Sequence, residues 1–138
     1  MARPTRDARS LALVGVGGAL GTLLRWAVER TLPAGVGWPW GTFAVNVVGS
    51  LILGFLLERL SRAGAEDRRR QRLRLALGTG FCGGLTTYST FALELGTLLR
   101  AGSTPLASGY ALASVLGGLL AAAAGVLLAG RRRPGPRP

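Results

Sequence analysis

Long apolar stretches alternate with short polar segments along this chain. No charged residue occurs within 38–57, 75–93 or 101–130, and residues 11–28 are interrupted only by Arg25. A helix needs about 20 predominantly apolar residues to cross the roughly 30 Å of bilayer hydrocarbon. The pattern therefore predicts an all-α integral membrane protein with four transmembrane helices.

We predict that the four helices occupy approximately residues 10–30, 39–60, 72–100 and 106–129. Together they form one membrane domain, residues 10–130, between a basic N-terminal tail at 1–9 and a basic, disordered C-terminal tail at 131–138. A cleaved secretory signal is an alternative interpretation of the basic start and the apolar run after it. Three further spans follow that run, so we prefer the membrane domain.

The arginines are strongly segregated, and the formal net charge is +11. Three lie in 1–9, seven in 59–74 and four in 131–137, whereas the opposite side of the predicted bundle has only Arg30 and Arg100. The positive-inside rule places the two termini and the middle loop in the cytoplasm. Since these arginines occupy tails and a loop, we expect the lipid bilayer and not nucleic acid as a partner.

The composition offers nothing for catalysis. The chain has no histidine for a zinc or haem site and a single cysteine, Cys82, which cannot form an internal disulfide. No acid–base pair, nucleophile–histidine arrangement or phosphate-binding glycine motif occurs. We predict that the protein is not an enzyme and that Cys82 is a small buried hydrophobe.

Residues 78–91 are apolar enough to cross a bilayer, yet they are rich in glycines and hydroxyls that weaken a helix. Irregular backbone at membrane depth persists only where protein buries it or where it lines a wet cavity. A break at 83–87 would free carbonyl oxygens that suit a small cation. Tyr88 and Phe91 would share the face of the next turn. Glu94 is expected near the far membrane interface, with a buried role as the alternative.

Polar residues recur at helical spacing in the other predicted spans. Thr42 and Asn46 share one face of the second helix, and Tyr110 and Ser114 share one face of the fourth. The Asn46 amide has two interpretations, an interhelical hydrogen bond or a donor that faces an aqueous pathway. Arg25 lies within the first helix, where we predict a structural role, either by reaching the headgroups or by pairing inside the protein.

Three segments resemble, in order along the chain, the signature motifs of the CrcB/Fluc family of fluoride channels. The segments are Gly17-Gly18-Ala19-Leu20-Gly21-Thr22-Leu23-Leu24-Arg25-Trp26, Gly41-Thr42-Phe43-Ala44-Val45-Asn46-Val47-Val48-Gly49-Ser50 and Gly83-Gly84-Leu85-Thr86-Thr87-Tyr88-Ser89-Thr90-Phe91. The resemblance covers nearly everything except the tails. Thr22 and Trp26 are mild departures, and Tyr88 stands where the family usually has phenylalanine.

The resemblance implies a passive, fluoride-selective channel in a bacterial-type plasma membrane, which lets toxic fluoride leave the cytoplasm. It also implies an antiparallel dimer with two separate pores, its third helices broken in mid-membrane, and one structural sodium ion at the dimer centre. Main-chain oxygens that match Gly83 and Thr86 would hold the sodium ion. The implied fluoride pore residues are Asn46, Tyr88, Phe91, Thr42, Ser89, Thr90, Tyr110 and Ser114.

The arginine bias conflicts with an antiparallel pair made from a single gene product, because such a chain should insert in both orientations. We therefore hypothesise that the second subunit is either the same chain or, as the bias favours, an oppositely oriented paralogue. Two alternative functions are a small multidrug-type exporter and a non-transporting membrane scaffold. A small multidrug-type exporter should have a carboxylate in its first span, which here has Arg25 and no acid before Glu29. A non-transporting scaffold would not explain the Asn, Thr and Ser residues at membrane depth.

Overall fold

The computed structural model describes residues 4–32, 37–64 and 67–131. These residues are almost entirely helical, which confirms the predicted all-α class. The helices are α1 (Pro4–Thr31), α2 (Trp40–Arg62), α3 (Arg68–Leu73), a π-helical segment (Arg74–Cys82), α4 (Gly83–Leu85), α5 (Ser89–Arg100) and α6 (Thr104–Gly130).

Three helical stretches are long and apolar enough to cross a membrane. They are Ala8–Thr31, Trp40–Arg62 and Thr104–Gly130, and they correspond to the first, second and fourth predicted spans. The predicted third span, 72–100, is instead divided among α3, the π-helical segment, α4 and α5. α3, the π-helical segment and α4 follow one another without a gap, so residues 68–85 are continuously helical, and α5 is a separate helix of 12 residues.

The first helix begins at Pro4, well before the predicted start at residue 10. Proline suits the first turn of a helix, because its φ angle is already helical and its missing N–H would have no partner there. Most of the segment predicted as an N-terminal tail is therefore helical. At the C-terminal end of the chain, α6 ends at Gly130. Residues 132–138 of the predicted C-terminal tail lie outside the described residues.

Glycines allow the backbones of neighbouring helices to approach closely. A Cβ atom at Gly54 of α2 would collide with the backbone of α6, and one at Gly125 of α6 would collide with the backbone of α2. A Cβ atom at Gly17 or Gly21 of α1 would likewise collide with the backbone of the π-helical segment. Because lipid supplies no hydrophobic drive for helix association, such close packing is a main source of bundle stability.

Helical conformation ends at Leu85 and resumes at Ser89. Thr86 is extended, with φ −82° and ψ 153°. Gly83 and Gly84, which we expected within a break at 83–87, are helical, because the Thr86 N–H still donates to the Cys82 carbonyl at 3.0 Å. The non-helical residues are therefore 86–88, slightly later than expected.

A buried cluster forms where α5, α6 and the start of α2 meet. Its centre is Leu98, Ala107 and Tyr110, and partly buried aromatic and aliphatic side chains surround it. Elsewhere large apolar side chains face outward, as with Leu120 at 70% exposure, which is the surface expected of a lipid-facing bundle. Cys82 is 1% exposed, so the prediction that it is buried is confirmed.

Candidate functional site

The side chain of Asn46 on α2 holds the non-helical residues through both of its polar atoms. Its Nδ2 donates to the Thr87 carbonyl at 3.0 Å, and its Oδ1 accepts from the Thr87 N–H at 2.7 Å. A primary amide presents a donor and an acceptor side by side, so it satisfies both the N–H and the C=O of Thr87. Nδ2 carries a second N–H, which this pairing leaves for another acceptor.

Hydroxyl groups complete the hydrogen bonding around this interruption. Thr87 Oγ1 lies 3.1 Å from Thr90 Oγ1 and 3.2 Å from Ser89 Oγ, and it also accepts from the Thr90 N–H at 3.2 Å. Thr86 Oγ1 donates back to the Cys82 carbonyl at 2.9 Å. Ser and Thr hydroxyls replace helical backbone bonds in this manner where a helix starts or stops. Ser89 and Thr90 therefore belong to the start of α5.

An open groove of about 340 Å³ lies beside the interruption. It is lined by Asn46, Ser50, Leu53, Thr86, Thr87, Tyr88, Phe91, Ser114 and Val115. Ser114 Oγ is buried but makes no well-formed hydrogen bond among the described residues. The Tyr88 ring is 81% exposed, and its centroid lies 6.1 Å from that of Phe91. Four of the predicted pore residues thus meet in one groove, which we call the polar groove.

Thr42 and Tyr110 lie together elsewhere, on the carboxylate of Glu94. Thr42 Oγ1 donates to Glu94 Oε1 at 2.8 Å, and the Tyr110 hydroxyl donates to Oε2 at 2.7 Å. Both donors are buried, at 1% and 0% exposure. The Phe91 ring lines the polar groove and lies 5.2 Å from the Tyr110 ring, so it contacts both the groove and the triad.

Sequence reasoning did not assign Glu94 to the site, because its charge favoured a place at the membrane interface. Glu94 is partly buried, and its carboxylate contacts α2 through Thr42 and α6 through Tyr110, so its position is nearer to the alternative of a buried role. A usable signal was present. Two predicted membrane-depth hydroxyls, those of Thr42 and Tyr110, required an acceptor, and Glu94 is the only acid after Asp67.

Arg25 joins α1 to α4. Its Nε donates to the Gly84 carbonyl at 3.2 Å, and its Nη1 lies 3.7 Å from Glu29 Oε1. The guanidinium therefore bonds to backbone next to the interruption and does not line the polar groove. A structural role for Arg25 stays a prediction, and these contacts support it.

Residues 12–126 match the family model described as "CrcB-like protein, Camphor Resistance (CrcB)". The chain belongs to this family. It is 48% identical over 117 residues to "Fluoride-specific ion channel FluC 1" of Mycolicibacterium paratuberculosis, which covers 83% of this chain and 86% of the relative.

Two further relatives are named "Fluoride-specific ion channel FluC". The protein of Novosphingobium aromaticivorans is 45% identical over 112 residues, 78% of this chain and 86% of its own length. That of Chlorobaculum tepidum is 43% identical over 122 residues, 88% of this chain and 94% of its own length. The resemblance stated from three motifs is confirmed, and this CrcB-family chain is a membrane protein.

The resemblance implies that the carbonyls of Gly83 and Thr86 would hold a sodium ion, and this stays a prediction. In an unbroken helix they would accept from the N–H groups of Thr87 and Thr90. Those donors instead bind Asn46 Oδ1 and Thr87 Oγ1. Both oxygens are thus released from the helical ladder, and main-chain oxygen is a suitable ligand for a hard cation.

The position of Gly83 also fits such a site. The residue is exposed, and a Cβ atom built on it would meet nothing within 4 Å. No cluster of three or more His, Cys, Asp or Glu side chains occurs among the described residues of this CrcB-family chain.

Proposed function

We propose that this chain is a subunit of a fluoride-selective channel that lets toxic fluoride leave the cytoplasm by passive conduction. The observation that carries the proposal is the polar groove, where the Asn46 amide, the Ser114 hydroxyl and two aromatic rings meet in a chain of the CrcB family. Membership of that family, whose relatives are named as fluoride-specific channels, argues against a multidrug-type exporter and against a scaffold.

The groove residues can replace the water that a small, strongly hydrated anion loses on entry. The second N–H of Asn46 and the hydroxyl of Ser114 are donors, and the electropositive edges of Tyr88 and Phe91 add weaker contacts. No charged side chain lines the groove among the described residues. Contacts of this strength suit conduction, because an ion that binds too firmly cannot leave.

The triad of Thr42, Glu94 and Tyr110 extends the polar residues beyond Phe91. Both hydroxyls already donate to the carboxylate. They can donate to fluoride only by exchanging one acceptor for another. We therefore assign Thr42 and Tyr110 to the pore as donors that Glu94 keeps oriented, with Ser89 and Thr90 at the start of α5 as further hydroxyls.

The assembly we propose is an antiparallel dimer in which residues 86–88 of the two subunits interrupt the third span in mid-membrane. The carbonyls of Gly83 and Thr86 would hold one sodium ion at the dimer centre. When bound, that ion would supply a fixed positive charge that favours anions and joins the subunits. The exposed surface at Gly83 supports a subunit contact there.

The proposed location is the plasma membrane, with both termini in the cytoplasm. Fourteen arginines on the terminal side against two on the other support this orientation. The same bias supports an oppositely oriented paralogue as the second subunit rather than another copy of this chain. Mapping the termini of the chain expressed alone tests this: one dominant orientation agrees with a paralogue, and an even split with full conduction contradicts it.

The central test is fluoride efflux from liposomes, followed with a fluoride electrode. Vesicles that contain the chain, together with its antiparallel partner where one is required, should release fluoride far faster than empty vesicles and faster than they release chloride. Neither an exporter of cationic compounds nor a scaffold should do so. Efflux no faster than from empty vesicles would contradict the proposed function.

A further inference from the structure

A second groove lies between the N-terminal part of α1 and α3, at the arginine-rich end of the bundle. Its volume is about 460 Å³, and it is lined by Arg9, Ala12, Leu13, Val16 and Arg72. We call it the basic groove. The four α1 residues follow one another at helical spacing, so they form a single stripe along one face. No acidic side chain lines the groove among the described residues.

The stripe changes from charged to apolar along α1. Arg9 lies at one end, beside the first residue of the membrane-crossing stretch Ala8–Thr31. Val16, 63% exposed, is two turns further, about 10 Å along the helix axis. A guanidinium at the edge of a span is at headgroup depth, and the residues after it are at the depth of acyl chains.

We propose that the basic groove binds one anionic phospholipid, with the phosphate between Arg9 and Arg72 and the first part of an acyl chain along Ala12, Leu13 and Val16. Guanidinium groups are well suited to phosphate oxygens, because their N–H donors match the spacing of those oxygens. The proposal requires only that the chain is a membrane protein and does not depend on which ion it conducts.

Other occupants fit the groove less well. A free phosphate would leave the apolar stripe without a partner. A second copy of this chain carries a net charge of +11 and has only six acidic residues, so it offers little to two arginines. A lipid provides both the anionic group and the apolar chain in the observed order.

The preference for anionic lipid should come from the headgroup. Within a bilayer the apolar stripe has no hydrophobic reason to prefer one acyl chain over another. Each arginine near an anionic lipid surface is worth about fivefold in binding, so the pair should give roughly 30-fold. Replacement of both arginines should remove most of that factor.

Native mass spectrometry of the delipidated full-length protein, or of its complex with its antiparallel partner, provides the test. Phosphatidylglycerol and phosphatidylcholine with identical acyl chains are titrated, and the bound copies are counted. The wild type should prefer phosphatidylglycerol, and Arg9→Gln with Arg72→Gln should lose at least about tenfold of that preference. Arg59→Gln with Arg68→Gln removes the same charge outside the groove and should retain it.

Two further measurements complete the design. Arg9→Lys with Arg72→Lys keeps the charge and should retain most of the preference, and elution as a single species establishes that each variant is folded. Soluble glycerol phosphate should not displace the lipid. Equal loss in the matched control pair would overturn the site in favour of diffuse attraction. Displacement by glycerol phosphate, or a second protein copy in place of lipid, would overturn the assignment of a lipid.

Discussion

Helix α6 and the region from α3 to α5 differ in how they satisfy their backbones. α6 is one regular helix, Thr104–Gly130, whose peptide groups bond within it. In the region from α3 to α5, helical hydrogen bonding is interrupted at 86–88. Its backbone groups there bond to side chains from other helices, with the Asn46 amide on Thr87 and the Arg25 guanidinium on Gly84. The comparison shows that polar side chains gather where a helix gives up its own hydrogen bonds.

We expect the largest effect from a substitution of Asn46, which removes a hydrogen bond from residues 86–88. Asn46→Asp replaces the amide that donates to the Thr87 carbonyl with a carboxylate, so this carbonyl loses its donor. The substitution also adds a negative charge to the polar groove. We expect fluoride efflux to fall about 100-fold, equivalent to about 3 kcal/mol, the upper range for a buried polar group left unsatisfied.

Ser50→Ala is the matched control, because Ser50 lines the same groove but makes no bond to residues 86–88 among those described. Its efflux should stay near that of the wild type. Undiminished efflux in the Asn46 variant, measured with the fluoride electrode in folded protein, would remove Asn46 from the ion pathway.

The next largest effect, on stability, is expected where α1 packs against the π-helical segment. Gly17→Ala drives a methyl group into the backbone of the π-helical segment and should lower the free energy of unfolding by about 1–3 kcal/mol. Gly15→Ala, two residues away with nothing within 4 Å, should be neutral or slightly stabilising, since alanine is the better helix former. Thermal unfolding in detergent compares the two. Equal losses would contradict the close packing at Gly17.

A smaller effect is expected at the triad. Glu94→Gln keeps one acceptor oxygen but presents an NH₂ group to either Thr42 or Tyr110, so one buried hydroxyl loses its acceptor. We expect about a tenfold loss of fluoride efflux, in line with roughly 1–2 kcal/mol for such a loss. Among the described residues, the hydroxyl of Thr97 bonds only to the Leu93 carbonyl of its own helix, so Thr97→Ala should not change efflux. Wild-type efflux from the Glu94 variant would exclude the triad from conduction.

The smallest effect distinguishes the Tyr88 hydroxyl from the Tyr88 ring. The ring is largely exposed and faces Phe91, so Tyr88→Phe preserves the edge contact and should change efflux by less than about threefold. Tyr88→Ala removes the ring and should cost more. A large loss in Tyr88→Phe would assign direct donation to the hydroxyl.

Sequence patterns were sufficient to locate the second and fourth membrane spans. The uncharged windows located the second span at 39–60 and the fourth at 106–129, close to Trp40–Arg62 and Thr104–Gly130. They missed the start of α1 at Pro4, because charged residues looked like a tail although most of them are good helix formers. The π-helical segment was also missed, since no local pattern distinguishes it from an α-helix.

The sequence indicated which residues belong to the candidate site but not which of them lie together. The motifs indicated Asn46, Tyr88 and Phe91, and helical spacing indicated Ser114, and all four meet in the polar groove. The separate cluster on Glu94 depends on how α2, α5 and α6 pack, and a contact among residues so distant in sequence has no local signature. Thr42 and Tyr110 were therefore assigned to the pore without the carboxylate that they contact.

Asn46 has two roles in the proposed channel, and this limits how the proposed pore can be altered. Asn46 bonds to the N–H and C=O of Thr87 and also lines the polar groove, so a replacement that alters the groove there also removes hydrogen bonds from residues 86–88. The Ser114 hydroxyl makes no well-formed hydrogen bond among the described residues, so a replacement there disturbs less of the local structure. Engineering for a larger ion should therefore start on α6 and leave α2 untouched.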